Sequence, residues 1–170
     1  MDPLLLAMLR TLHVAAGALW FGAVVFASRV LGPTMKAAGD GARPFMAAMQ
    51  GLGQPARFMG PVAATAVLSG LLLYGLGGYH EDPFGSAAAG LLTLGAALAL
   101  GVWLYGLAVG MPLQRRMAAL GKQMAAGPTP GQAAEMGRLQ ARFQRMSKAM
   151  PPLIAAVFLL MAGRGIAAAL

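Results

Sequence analysis

The 170 residues are 58% hydrophobic and only 11% charged, whereas about 25% of the residues of a water-soluble domain are charged. A soluble fold of this sequence would therefore have too few polar side chains to cover its apolar surface. The length suits a single domain over residues 1–170. The absence of cysteine excludes disulfides, thiolate metal sites and covalent c-type haem attachment.

Four apolar segments predict four transmembrane helices. They cover about residues 4–31, 58–79, 86–111 and 151–170. Each has about 20 residues or more, which is enough to cross a hydrocarbon core of about 30 Å. We therefore expect an all-α fold, an integral membrane bundle of four transmembrane helices.

The segment between the third and fourth spans, about residues 113–150, is basic and is predicted to be helical in two parts. Leu113 to Ala126 reads as one helix, and Gly127 to Gly131 contains two prolines and breaks it. Gln132 to Met150 is then amphipathic, because apolar residues recur at spacings of three and four. Such a helix can lie on anionic headgroups or pack against a partner. The apolar stripe consists of Met136, Leu139, Phe143, Met146 and Met150.

The net charge of +8 comes mostly from the first and third loops, whereas the loop between spans two and three carries Glu81 and Asp82 and no Lys or Arg. The positive-inside rule places the basic loops in the cytoplasm. Both termini and His80 then face the periplasm of a bacterial inner membrane. We interpret the charge as a topology signal and expect the lipid bilayer, not nucleic acid, as the partner.

Small residues recur four apart in the spans and predict close helix packing. We expect mainly packing within the chain. Docking of other membrane subunits, or formation of a homo-oligomer, is the alternative. The pairs are Ala18 and Gly22, Ala66 and Gly70, Ala97 and Gly101, and Gly106 and Gly110.

Ionisable residues inside a membrane span indicate function by default, and Arg10, His13 and Arg164 are such residues. Arg10 and His13 are three apart and share a helix face, which Gly17 continues. Arg164 lies near the depth of Arg10 in the last span. The five carboxylates all lie outside the spans, which argues against carboxylate proton relays and di-iron carboxylate sites.

This pattern allows a b-type haem site, because a neutral imidazole is a good iron ligand. His13 would be the axial metal ligand, and Gly17, one turn away, would let a flat macrocycle approach the backbone. Arg10 and Arg164 would pair with the propionates. A second axial ligand would be His80, a methionine or water.

Three alternatives stay open. His13 suits a core histidine that bonds a carbonyl or hydroxyl of a neighbouring helix. It also suits a copper ligand, with methionines as further ligands. The whole chain also suits a non-catalytic accessory subunit of a larger membrane complex.

Leu12-His13, followed after six residues by Trp20-Phe21-Gly22, resembles the first helix of a group of small bacterial membrane proteins. The group includes the CopD-like copper-resistance domain, the HemJ-type protoporphyrinogen oxidases and several uncharacterised families. Ser69-Gly70 in span two and Met161-Ala162-x-Arg164 in the last span are similar to the group as well. The resemblance implies a four-span fold. It also implies haem ligation by His13 or passage of copper.

The chain differs from the HemJ-type oxidases in one residue type. These enzymes also use a lysine in the third span, and this chain has no lysine between Ser86 and Met111. We therefore expect a haem-binding or redox accessory protein and leave open whether it is an enzyme.

Overall fold

The computed structural model describes residues 2–42, 44–45, 48–49, 54–125 and 127–167, and the regular elements among them are helical. A π-helical turn at 27–31 joins α1 to α2, and a second at 106–110 joins α4 to α5. The sequence of the first loop predicts a short helix around Phe45 to Met49, which lies partly outside the described residues; Pro44, Phe45, Ala48 and Met49 are described and are helical. The α-helices are α1 (Pro3–Phe26), α2 (Gly32–Ala38), α3 (Gln54–Leu76), α4 (Ala87–Tyr105), α5 (Met111–Met124) and α6 (Pro130–Ala167).

Local sequence signals explain where these helices begin and end. Asp2 caps α1 by accepting a hydrogen bond from the backbone N–H of Leu4 at 2.9 Å, and Pro3 occupies the first turn. Ser86 caps α4 in the same way, because its hydroxyl accepts from the backbone N–H of Ala89 at 3.1 Å. Gly127 adopts a φ of +123°, which favours glycine, and it marks the predicted break between α5 and α6.

The described residues contain four helices that are long and apolar enough to cross a membrane: Pro3–Ala42, Arg57–Leu76, Ala87–Met124 and Pro130–Arg164. Large apolar side chains point outward, for example Leu159, which is 73% exposed, and Ile166, which is 69% exposed. The buried side chains are mostly small, as at Ala16, Ala63 and Ala66. Small residues inside and large apolar residues outside suit helices that pack in lipid. The protein is therefore a multi-pass membrane protein with the expected all-α, four-span bundle.

The last helix is longer than the predicted fourth span. We expected this span to begin at about residue 151, but α6 continues through Pro151 and Pro152 as one helix of 38 residues. It therefore includes the amphipathic segment. At 1.5 Å per residue α6 is about 57 Å long, which exceeds a hydrocarbon core of about 30 Å.

The N-terminal part of α6 extends beyond the apolar span and packs against α5. Gly110, which is buried at the end of the second π-helical turn, lies against Met146, and Arg116 forms an ion pair with Glu135 at 2.6 Å. The predicted basic segment 113–150 is thus a helical hairpin formed by α5 and the first half of α6.

The four spans form two closely packed pairs, α1 with α3 and α4 with α6. The pairs touch each other more sparsely, along α3 with α4 and α1 with α6. Of the small-residue pairs, Ala66 and Gly70 lie in the contact with α1. A side chain at Gly22 or Gly101 would meet nothing within 4 Å, so these two glycines face open space.

Candidate functional site

A cavity of about 560 Å³ lies between the two helix pairs and is lined by residues of all four spans. The structure brings the four predicted site residues, Arg10, His13, Gly17 and Arg164, together in its lining. Most of the remaining lining is apolar. The volume of the cavity is within the range of about 300–1,000 Å³ typical of small-molecule and cofactor sites.

The imidazole of His13 is held by a short hydrogen bond to the backbone of α3. Its Nδ1 lies 2.8 Å from the carbonyl oxygen of Ala66 on α3. Because a carbonyl oxygen can only accept, Nδ1 carries the proton and donates, and in the neutral imidazole Nε2 then has a free lone pair. Among the described residues Nε2 has no hydrogen-bond partner, and it is not sealed off by protein atoms. The bond expected of a core histidine is therefore present, and it leaves the second ring nitrogen available at the cavity.

Ser69 and Gly70 form the surface of α3 on which the His13 ring packs. Ser69 is buried, and its hydroxyl donates to the carbonyl oxygen of Thr65 while lying 3.4 Å from His13 Nδ1. A Cβ at Gly70 would lie 2.7 Å from Cε1 of the ring. The imidazole thus packs directly on the backbone of α3, which only glycine allows at position 70.

Arg164 is anchored at the edge of the cavity by an aromatic side chain. Its Nη2 donates to the hydroxyl of Tyr79 at 2.5 Å, and its Cζ lies 5.3 Å from the centre of the same ring. Both side chains are partly buried and line the cavity. The neutral phenol leaves the guanidinium charge uncompensated. Arg164 can therefore still attract an anionic group.

A hydrogen-bonded group fixes the turn that carries Tyr79. Thr93 of α4 donates from its hydroxyl to the carbonyl oxygen of Pro83 at 2.9 Å. The Tyr74 hydroxyl lies 2.9 Å from the Thr93 hydroxyl and 3.2 Å from the carbonyl oxygen of Tyr79. These bonds tie α3, the turn and α4 together, and so they position Tyr79 at the cavity.

Arg10 and Gly17 differ in how they meet the cavity. The Arg10 side chain is exposed and has no ion-pair or hydrogen-bond partner within the described part of the chain. Gly17 faces α6, where a Cβ would lie 3.8 Å from Cζ of Phe158. The centroid of the Phe158 ring lies 4.8 Å from that of Phe21, and the two rings are tilted by 35°. An alanine at position 17 would therefore make ordinary contact with an aromatic wall of the cavity.

The candidates for a second axial ligand differ in position. His80 lies exposed in the turn after α3 and does not line the cavity. Met161 of α6 does line it and packs against Gly95 of α4. The sequence motif Met161-Ala162-x-Arg164 includes this residue, but sequence patterns did not identify it among 13 methionines as a possible ligand.

Groups of three or more His, Cys, Asp or Glu side chains that could hold a metal ion do not occur among the described residues. A bare metal ion usually needs three or four protein ligands. A haem iron needs only one or two, because the macrocycle supplies the others. The cavity itself offers one imidazole, that of His13, and one thioether, that of Met161.

Comparison of the chain with protein-family models, curated proteins and solved structures finds no match. The functional interpretation therefore depends on the geometry of the cavity and on the short motifs of the sequence.

Proposed function

We propose that this protein binds a b-type haem in the central cavity, with His13 Nε2 as the axial ligand, and serves as a redox or haem-carrying accessory protein. The observation that supports this proposal most is the hydrogen bond from Nδ1 of His13 to a backbone carbonyl. A metal-bound histidine usually donates its other ring N–H to a carbonyl or carboxylate, which fixes the ring and raises its basicity. The bond of His13 to Ala66 has this form.

The charges around the cavity suit the two propionates of a haem. Arg164 and Arg10 line the same cavity, and neither forms an ion pair among the described residues. Charge-assisted hydrogen bonds from arginine to a carboxylate are among the stronger polar interactions. Tyr79 holds Arg164 in place and offers one further polar group at the same edge.

When bound, a haem supplies one-electron transfer. The protein's contribution is to fix the ligand, neutralise the propionates and exclude water with apolar walls, which together tune the reduction potential. Met161 is the cavity methionine that can supply a second ligand in this proposal. Gly17 lines the same cavity, but Phe158 lies 3.8 Å from the position of its Cβ, so a macrocycle would approach α1 there only if the Phe158 ring moved.

The proposed location is a bacterial inner membrane, with the basic loops in the cytoplasm and both termini in the periplasm. The asymmetry of Lys and Arg between the loops supports this orientation. The motif from Leu12-His13 to Trp20-Phe21-Gly22 resembles that of the HemJ-type and CopD-like proteins and supports a haem or metal site at His13.

A structural role as an accessory subunit is the second candidate. The basic hairpin of α5 and α6 and the open face of α1 at Gly22 favour it, because both are free to meet another subunit. This role predicts a colourless protein. The two roles are therefore separated by one spectrum.

The test is an absorption spectrum with metal analysis on protein purified from membranes in mild detergent. We expect a Soret band and about one iron per chain. The band should be lost in His13→Ala and kept in His80→Ala, a matched control because His80 lies outside the cavity. A colourless, metal-free protein would favour the accessory role, and bound copper without a Soret band would favour copper handling.

A further inference from the structure

A second concave surface lies at the basic end of the bundle, between α4 and α6. It is a groove of about 650 Å³ with an apolar floor and two arginines at one end, Arg142 and Arg145. The apolar floor is open at Gly101, because a Cβ there would meet no protein atom within 4 Å. The groove is lined mainly by Ala97, Leu98, Gly101, Tyr105, Met146 and Leu153.

The antiparallel packing of α4 and α6 shows where the groove lies relative to the apolar span. Gly95 lies beside Met161, and Gly110 lies beside Met146. Arg145 is therefore level with the end of the third apolar segment, at about residue 111. Leu153, eight residues further along α6, lies about 12 Å deeper at 1.5 Å per residue. The arginines thus stand at headgroup depth, and the floor lies at the depth of acyl chains.

The two arginines carry charge that the described part of the protein does not neutralise. Arg142 and Arg145 have no ion-pair or hydrogen-bond partner there, and the neighbouring carboxylate of Glu135 is bound by Arg116. Residues three apart share a helix face. Both guanidinium groups can therefore approach one phosphate.

We propose that this groove binds one anionic phospholipid, with its phosphate between Arg142 and Arg145 and one acyl chain along Ala97 and Gly101. A basic pocket between helices at the membrane surface has the chemistry that anionic headgroups require. The apolar floor favours a lipid over inorganic phosphate, which has nothing to place there. The site is independent of the haem proposal, because it lies in a different cavity and needs no cofactor.

The test is native mass spectrometry of the full chain in mild detergent with added phosphatidylglycerol or phosphatidylcholine. We expect one phosphatidylglycerol to be retained in preference to phosphatidylcholine. The double variant Arg142→Gln and Arg145→Gln should weaken its retention at least about tenfold, because each nearby cation contributes to headgroup binding. Gly101→Leu, which fills the floor without altering charge, should weaken it as well.

The matched control is Arg138→Gln with Lys148→Gln, which removes two charges from the same helix outside the groove. It should leave retention unchanged. Equal weakening in this control would show diffuse attraction to basic residues and overturn the proposal. Undiminished binding in Gly101→Leu, or displacement of the lipid by inorganic phosphate, would overturn it by showing that only the phosphate is recognised.

Discussion

Gly70→Ala tests whether the backbone of α3 holds the His13 ring. The new Cβ would lie 2.7 Å from Cε1 and 3.1 Å from Nδ1 of the ring. Ordinary contact begins at 3.4 Å, so the ring must move by about 0.7 Å from Cβ. A shift of that size is enough to weaken or break the 2.8 Å bond to the carbonyl of Ala66.

The expected cost follows from three contributions. Overpacking costs about 1–3 kcal/mol, and the lost hydrogen bond costs about 0.5–1.5 kcal/mol. Replacing a helical glycine by alanine returns up to about 1 kcal/mol. The net destabilisation of Gly70→Ala should therefore be about 0.5–4.5 kcal/mol. Because the displaced bond orients the proposed ligand, haem affinity should also fall about 10–100-fold.

The assay is equilibrium unfolding in mixed detergent micelles, followed by helix content and by tryptophan fluorescence, to which Trp20 in the cavity and Trp103 both contribute. Gly75→Ala is the matched control, since it lies on the same helix and its Cβ would meet nothing within 4 Å. Gly75→Ala should be neutral or slightly stabilising. If Gly70→Ala proved as stable as Gly75→Ala, the close packing of the imidazole against the backbone of α3 at Gly70 would be refuted.

Three further predictions use the same unfolding assay. Thr93→Val removes the hydroxyl that contacts Tyr74 and Pro83 and should cost about 1–3 kcal/mol, whereas Thr34→Val, on the exposed face of α2, should change stability by less than about 0.5 kcal/mol. Tyr79→Phe removes the acceptor of Arg164 and should cost about 1.5 kcal/mol, the lower end for a charged donor because the pair is only part-buried; an unchanged midpoint would contradict this contact. Arg116→Ala breaks an ion pair whose arginine is 69% exposed and should cost less than about 1 kcal/mol; a larger loss would mean that the hairpin depends on this pair.

The sequence predicts those features of the fold that local composition determines. The four apolar segments and the glycine break before α6 both follow from residue type and spacing. The continuity of α6 through Pro151 and Pro152 does not follow from them. Proline normally interrupts a helix in water, but in membranes neighbouring helices and local adjustments satisfy the freed backbone groups.

The candidate site was predictable only in part. His13, Arg10 and Arg164 were identifiable because ionisable residues in a span need a reason to be there. The partner of His13 was not, because a backbone carbonyl carries no signature of residue type, and Ala66 is 53 residues away. Tyr79 pairs with Arg164 across 85 residues. The sequence patterns did not identify Tyr79; the enrichment of tyrosine at membrane interfaces is the signal that could have pointed to it.

The most direct measurement is a haem titration of the His13→Gly variant in the presence and absence of free imidazole. Removal of the side chain leaves a space beside Gly70 in which imidazole can replace the ligand. The account predicts one haem per chain in the wild-type protein, loss of the Soret band in the variant, and its return when imidazole is added. Haem binding that is equally strong in the variant without imidazole, or no binding by the wild-type protein, would contradict it.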